Sequence, residues 1–156
     1  MLQRVSRHSS RPLRLVVETD DPALVIADFV SFAAAGFDVM CCGGPRENDP
    51  CPAVEGQPCP LVEDADVVLN QLDDRGAQHA VVDGVRRTSP DTPMVVTVPT
   101  GFEYDLPDGC VPLSATTSVS GQTQALRRAA THVRRTASAT AGDQCALRSQ
   151  NGFSIP

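Results

Sequence analysis

Short apolar runs typical of β-strands alternate along this chain with segments of helical length, and this alternation limits the fold more than any other feature. We predict strands at residues 13–19, 37–42, 65–72, 92–99 and 110–115, and helices at residues 20–36, 75–90 and 120–137. Elements that alternate at these lengths predict a doubly wound α/β fold, with a parallel five-stranded sheet and helices on both faces. In such a sheet the functional residues lie at the carboxyl ends of the strands.

The helices carry recognisable start and stop signals. Asp20 or Asp21 is the expected N-cap of the first helix, Pro22 lies in its first turn, and Gly36 follows its end. Ser120 is the expected cap of the last helix. The first helix has a broad apolar face, formed by Leu24, Ala27, Phe29, Val30, Ala33 and Ala34.

Residues 43–64 interrupt the alternation with five Pro, three Gly and two Cys. Because Pro and Gly prevent a regular helix over most of this stretch, we predict a long Cys-, Pro- and Gly-rich loop in place of the second helix. The polar segments at both ends suggest arms. The predicted organisation is an N-terminal arm at 1–12, one α/β domain at 13–136 and a C-terminal arm at 137–156.

Composition narrows the classes of partner and chemistry. The net charge is −6, and all 13 basic residues are Arg, since the chain contains no Lys. An acidic surface disfavours nucleic acid as the principal partner, and the missing Lys excludes Schiff-base chemistry. No apolar run approaches the ~18 residues of a membrane span, and no export signal is visible, so we expect a cytoplasmic protein with no membrane partner. Its six Cys are then expected to be thiols or metal ligands rather than disulfides.

Two segments carry a resemblance to a known family. LRLVVETDDPALVIADFVSFAAAGFDV resembles the opening of a bacterial response-regulator receiver domain, in which an apolar strand ends in acidic residues, a Pro starts the first helix and a Gly precedes the second strand. EDADVVLNQL and SPDTPMVVTV resemble the third strand of that family and the entry to its fourth. The resemblance covers roughly residues 13–136 and implies a receiver-like, flavodoxin-like sheet.

The family's active constellation is incomplete here. In a receiver, a carboxylate pair holds Mg²⁺, an Asp at the end of the third strand accepts the phosphoryl group, and a Lys at the end of the fifth neutralises its charge. The resemblance places the acceptor on Gln71, or on Asn70 if the register shifts by one, and neither amide is a usable nucleophile. The Lys of the constellation is missing, because the chain contains no Lys. Asp73 or Asp74 as a displaced acceptor is a poor case without that Lys.

The other members of the constellation are also altered. The hydroxyl expected at the end of the fourth strand falls on Val98, with Thr97 beside it. Glu18, Asp20 and Asp21 keep part of the acidic pair as a degenerate acidic pocket. These departures together imply a pseudo-receiver, a domain that keeps the fold without the phosphotransfer chemistry.

Four cysteines, Cys41, Cys42, Cys51 and Cys59, lie within 19 residues of each other. Four thiols at a functional edge can hold Zn²⁺ or an iron–sulfur cluster, although the spacing lacks a C-x-x-C pair. If Cys41 and Cys42 both lie in a strand, they face opposite sides of the sheet and cannot bind one ion. A redox pair of Cys51 with Cys59 and chemically inert, apolar thiols are the alternatives.

The last predicted helix carries two Arg pairs spaced seven residues apart: Arg127 with Arg128, and Arg134 with Arg135. This spacing puts them on one face, which is a candidate partner-binding surface for an acidic partner or nucleic acid, although most such clusters are only solvated surface.

Three functional hypotheses follow. The first is a non-catalytic regulatory or assembly module that binds a protein partner. The second is a metal or iron–sulfur protein in which the Cys41–Cys59 loop serves electron transfer or sensing in a larger complex. The third, an enzyme using the acidic edge with a metal, ranks last because no base and nucleophile pair can be named.

Overall fold

The computed structural model describes residues 11–101 and 105–132. The elements in chain order are β1 (Leu13–Glu18), α1 (Pro22–Ala34), β2 (Phe37–Cys42), α2 (Pro60–Glu63), β3 (Val67–Asn70), α3 (Arg75–Thr88), β4 (Met94–Val98), β5 (Cys110–Ser114) and α4 (residues 119–132). The predicted arms lie outside the described residues except for Arg11 and Pro12. Arg11 forms a two-point ion pair with Asp66, at 2.8 and 3.0 Å.

The described strands form one parallel sheet in the order β2-β1-β3-β4-β5. This topology confirms the predicted doubly wound α/β fold. Glu18, the last residue of β1, is level with Cys42 on one side and with Asn70 on the other. The carboxyl ends of β2, β1 and β3 therefore meet at one edge, which we call the carboxyl edge. The chain order reverses between β1 and β3, the place where doubly wound sheets bind ligands.

Both faces of the sheet are covered, and the side chains of each strand alternate between them. Leu15 and Val17 pack with Phe32 of α1 and Leu126 of α4. The opposite core contains Val16 and is closed by side chains of α3, α2 and the loop before α2, namely Val81, Val82, Val85, Val62, Cys59 and Ala53.

The stretch at 43–64 is mostly irregular, in agreement with the predicted loop, and its end forms the single helical turn α2. The loop packs tightly on α3. A Cβ placed on Gly84 would lie 2.4 Å from the carbonyl oxygen of Ala53, so only a glycine permits this backbone approach. The connection from β4 to β5 also lacks a helix in its described residues, 99–101 and 105–109.

The orientation of α1 differs from what its pattern suggests. Asp28 and Phe32 are the buried residues of this helix, whereas all six residues of the predicted apolar face are exposed. Phe32 packs edge-on against Phe37, with the ring centroids 6.2 Å apart, and Asp28 is held by the side-chain amide of Gln71. Because α1 is apolar almost all round, its pattern specifies no unique inward face.

The helix caps agree with the sequence at α1 and differ at α4. Asp21 caps α1 by accepting a hydrogen bond from the Ala23 backbone, and Gly36 follows the helix with φ of 88°. The predicted cap Ser120 is wrong, because α4 already begins at residue 119 and the Ser118 hydroxyl accepts from the Gly121 backbone N–H. Within the described part of the chain, no helix is long and apolar enough to cross a membrane.

Candidate functional site

A buried pair of side chains joins the ends of β1 and β3 at the carboxyl edge. Glu18 is 3% exposed and Asn70 is fully buried. The Asn70 Nδ2 donates a hydrogen bond of 2.6 Å to Glu18 Oε2. Burial raises the pKa of Glu18 to about 7, although the hydrogen bond from Asn70 works in the opposite direction. Burial therefore favours the protonated, neutral form of the Glu18 carboxyl.

The carboxamide oxygen of Asn70 takes no part in this hydrogen bond. Asn70 Oδ1 has no hydrogen-bond partner among the described residues. A protonated Glu18 is the one form of that carboxyl with a hydrogen to donate, so the pair is best satisfied when Glu18 is neutral.

The side chain of Gln71, the next residue along the chain, contacts α1 on the other side of the sheet. Gln71 Nε2 donates a hydrogen bond to the carboxyl group of Asp28 on α1. Burial raises the pKa of Asp28, and this hydrogen bond opposes the rise. Strand β3 ends at Asn70, so Asn70 occupies the end-of-strand position and Gln71 follows it. Whether Asn70 or Gln71 is taken as the predicted acceptor position, the residue there is an amide that is hydrogen-bonded to a carboxyl group.

The three predicted acidic residues are close in sequence but serve different contacts. Glu18 lies in the core with Asn70, and Asp21 caps α1. Asp20 accepts a hydrogen bond of 3.1 Å from the Asp73 backbone N–H. Among the described residues, no three Cys, His, Asp or Glu side chains are placed to hold a metal ion.

The ends of β4 and β5 carry hydroxyl groups that the sequence places at the carboxyl edge but to which it assigns no role. The Ser114 hydroxyl, at the end of β5, is 3.0 Å from that of Thr100 and 2.9 Å from that of Thr116. This cluster stands at the end of the strand where the resemblance would put a Lys. The only sequence signal for it is the run LSATTS, which is equally typical of a turn.

A small cavity of about 100 Å³ lies beside β3 and β4 at the same edge. Its lining includes Gln71, Asp73, Thr97 and the positively charged Arg75. Val98 ends β4, as the resemblance implied, and the neighbouring Thr97 Oγ1 is buried with no hydrogen-bond partner among the described residues.

Three of the four predicted cysteine ligands share a second cavity, of about 260 Å³. Cys42, Cys51 and Cys59 line it together with Glu18. Burial raises the pKa of the Cys42 thiol. A backbone hydrogen bond from Gly44 opposes this effect, and the charges of Glu18, Cys51 and Cys59 add to it.

The fourth thiol is directed elsewhere. Cys41 and Cys42 both belong to β2, where Cys41 packs with the core under α1 and Cys42 packs with the opposite core. Cys41 therefore cannot share an ion with the other three. A metal or cluster site in this loop stays a prediction.

The predicted arginine surface is described only in part. Arg127 donates a hydrogen bond to the Ala35 carbonyl at the end of α1, and its guanidinium lies 5.1 Å from the centroid of the Phe37 ring. Arg128 lines a third cavity with Cys110 and His132. Arg134 and Arg135 lie outside the described residues.

Known proteins resemble this chain in fold but not detectably in sequence. No protein-family model matches the chain, and no curated protein matches it. Solved receiver domains do match at low sequence identity. A response regulator receiver domain protein from Bacillus halodurans C-125 is 13% identical, with a TM-score of 0.56 over 76% of this chain and 97% of its own.

Two further structures agree. A response regulator receiver protein from Sinorhizobium medicae WSM419 is 15% identical, with a TM-score of 0.56 over 78% of this chain and 97% of its own. A receiver domain from Clostridium thermocellum is 10% identical, with a TM-score of 0.59 over 78% of this chain and 97% of its own. The chain therefore has the receiver-like, flavodoxin-like fold of response regulator receiver domains.

Proposed function

We propose that this domain is a non-catalytic regulatory or assembly module, a pseudo-receiver that binds a protein partner without accepting a phosphoryl group. One observation carries the proposal: Asn70 ends β3, is fully buried and donates its amide hydrogen to Glu18. A carboxamide does not attack phosphorus, and this one is already used in the core.

The electrostatics of the carboxyl edge support the same conclusion. A phosphoryl group on an acyl phosphate brings close to two negative charges, which need a metal ion or cations in fixed positions. Here the neighbour of the acceptor position is Glu18, whose burial raises its pKa and so disfavours even one negative charge there. The chain has no Lys to offset additional charge.

Likeness to response regulator domains suggests signalling as the context. Receivers transmit a signal by binding other proteins, and a domain with this fold but without the acceptor retains surfaces for binding. The apolar outer face of α1 is the surface that supports this part of the proposal, since soluble domains rarely expose contiguous large apolar side chains without a partner.

Labelling with a small phosphodonor tests the absence of phosphotransfer. The full chain is incubated with acetyl phosphate and Mg²⁺, and its intact mass is measured, beside an authentic receiver domain as positive control. We expect no mass increase on this chain under conditions that label the control. Stoichiometric, base-labile phosphate on an Asp would overturn the proposal.

A metal centre is the second candidate, favoured by the shared cavity of Cys42, Cys51 and Cys59. Those thiols would have to turn toward a common point, because no three donors are so placed among the described residues. Metal analysis of anaerobically purified protein tests it. Zinc or iron near one equivalent, lost in Cys59→Ser but kept in Cys110→Ser, would favour this candidate over the first.

A further inference from the structure

The outward face of α1 is apolar along its whole length. Ile26 is 70% exposed, Val30 62%, Phe29 48% and Leu24 39%. The smaller exposed residues of the helix are also uncharged: Pro22, Ala23, Ala27, Ala33 and Ala34. The helix has a single charged residue, Asp28, and it is turned inward to Gln71. The exposed stripe is thus a continuous apolar surface, of the kind that marks an interface.

The two ends of this stripe carry opposite charges. At the N-terminal end lie Asp20 and Asp21, both acidic. At the C-terminal end lies the guanidinium of Arg127, bonded to the Ala35 carbonyl. A guanidinium nitrogen of Arg127 is also the atom nearest to a Cβ built on Gly36, at 3.9 Å.

These charges are placed symmetrically along the helix. Asp20 and Gly36 are equally far along the chain from Asp28, the midpoint of α1. When two such helices pack antiparallel with their midpoints together, the acidic end of each meets the arginine end of the other. The apolar stripes then face each other, and no like charges are brought together within the stripe. A surface with this pattern is complementary to itself under a two-fold rotation.

We propose that the occupant of this face is a second copy of the chain, bound through an antiparallel α1–α1 contact. The inference rests on the proposed function, because it names the partner of the assembly module. A 13-residue helix is about 20 Å long, so the contact is smaller than the roughly 800 Å² per partner of a standard interface. We therefore expect a weak, reversible dimer.

Sedimentation equilibrium of the full chain between about 1 and 500 µM tests the association. Wild-type protein is expected to shift from monomer to dimer over this range, and Phe29→Glu to dimerise with a Kd raised at least tenfold. Val119→Glu is the matched control, because Val119 is similarly exposed, at 44%, but lies at the start of α4. It is expected to dimerise like the wild type. Far-UV circular dichroism and the unfolding midpoint confirm that each variant is folded.

A charge exchange tests the antiparallel arrangement itself. Arg127→Glu places acidic groups opposite Asp20 and Asp21 of the second copy and is expected to weaken the dimer by about threefold to tenfold. Adding Asp20→Arg to the same chain restores an opposite-charge contact and is expected to recover at least half of that loss. A folded double variant as weak as the single one would overturn the antiparallel contact.

The remaining outcomes separate this inference from the proposed function. A wild-type chain that stays monomeric at 500 µM, or a Phe29→Glu variant that dimerises as the wild type does, overturns the α1 dimer. Binding of α1 only to a helix of a different protein has the same consequence. None of these results places phosphate on an Asp, so the phosphodonor experiment tests the absence of phosphotransfer independently of the α1 dimer.

Discussion

The carboxyl group of Glu18 accepts a 2.6 Å hydrogen bond from the carboxamide of Asn70 between two neighbouring parallel strands, inside the core. The contact joins β1 to β3 at the point where the strand order reverses. A receiver needs a charged, metal-bound edge in this region. This chain instead has a buried acid and amide that satisfy each other best when the acid is neutral.

The first prediction concerns pH. Burial raises the pKa of Glu18 from 4.5 to about 7, so between these values the folded chain holds a proton that the unfolded chain has released. The contribution of this proton to the free energy of unfolding is therefore complete below about pH 4.5. It falls as the pH rises and is lost above about pH 7. The loss in the free energy of unfolding is on the order of 3 kcal/mol.

Urea denaturation of wild-type protein and Glu18→Gln at pH 5, 6, 7 and 8 measures this effect. Gln cannot ionise, and its amide can donate to the unpartnered Asn70 Oδ1. The stability of Glu18→Gln relative to wild type is expected to rise with pH. The exposed Glu55 provides the matched control, Glu55→Gln, whose difference from wild type should stay flat. A flat difference for Glu18→Gln as well would contradict the assignment.

The second prediction concerns the bond from Gln71 to Asp28. Gln71→Ala leaves the buried Asp28 carboxyl without its amide donor, and we expect a loss of about 1–3 kcal/mol in the free energy of unfolding. The exposed Gln57 gives the control Gln57→Ala, which should change stability by less than about 0.5 kcal/mol. Equal effects of the two variants would show that the bond does not hold α1.

The third prediction concerns the approach of the loop to α3. In Gly84→Ala the new methyl group meets the Ala53 carbonyl oxygen at 2.4 Å, and we expect the loop to be displaced at a cost of about 1–3 kcal/mol. Gly76→Ala, in the first turn of the same helix, is the control. Its Cβ meets only the Asp74 side chain, at 3.2 Å, so a small effect is expected. Thermal unfolding and the alkylation rate of the buried Cys59 report on the two variants, and an unchanged Gly84→Ala would refute the close contact.

The fourth prediction concerns thiol reactivity. Burial raises the pKa values of the Cys41, Cys42 and Cys110 thiols above their ordinary range, which disfavours the reactive thiolate form. Iodoacetamide labelling followed by peptide mass mapping should show each at least tenfold slower than the same residue in urea-unfolded chain. Rapid labelling of folded Cys42 would argue for an activated thiol and against a passive one.

The alternation of strands and helices, the Asp21 cap and the Pro-rich interruption at 43–64 were readable from sequence, because these features depend on local periodicity and backbone chemistry. The absence of Lys was decisive in the same way. A missing side chain removes a chemistry whatever the fold.

Tertiary structure alone decided which way each element faces. Nothing in the pattern of α1 predicts that Asp28 points inward and Ile26 outward, since that choice depends on the contact of Asp28 with Gln71, which follows β3. Asn70 and Gln71 exchange roles if β3 shifts by one residue, and only its pairing with β1 sets that register. The sides taken by Cys41 and Cys42 follow from the same pairing. Local sequence specifies where the helices and strands lie. Which face of each helix or strand points inward, and in which register the strands pair, depends on how residues distant in sequence pack together in one core.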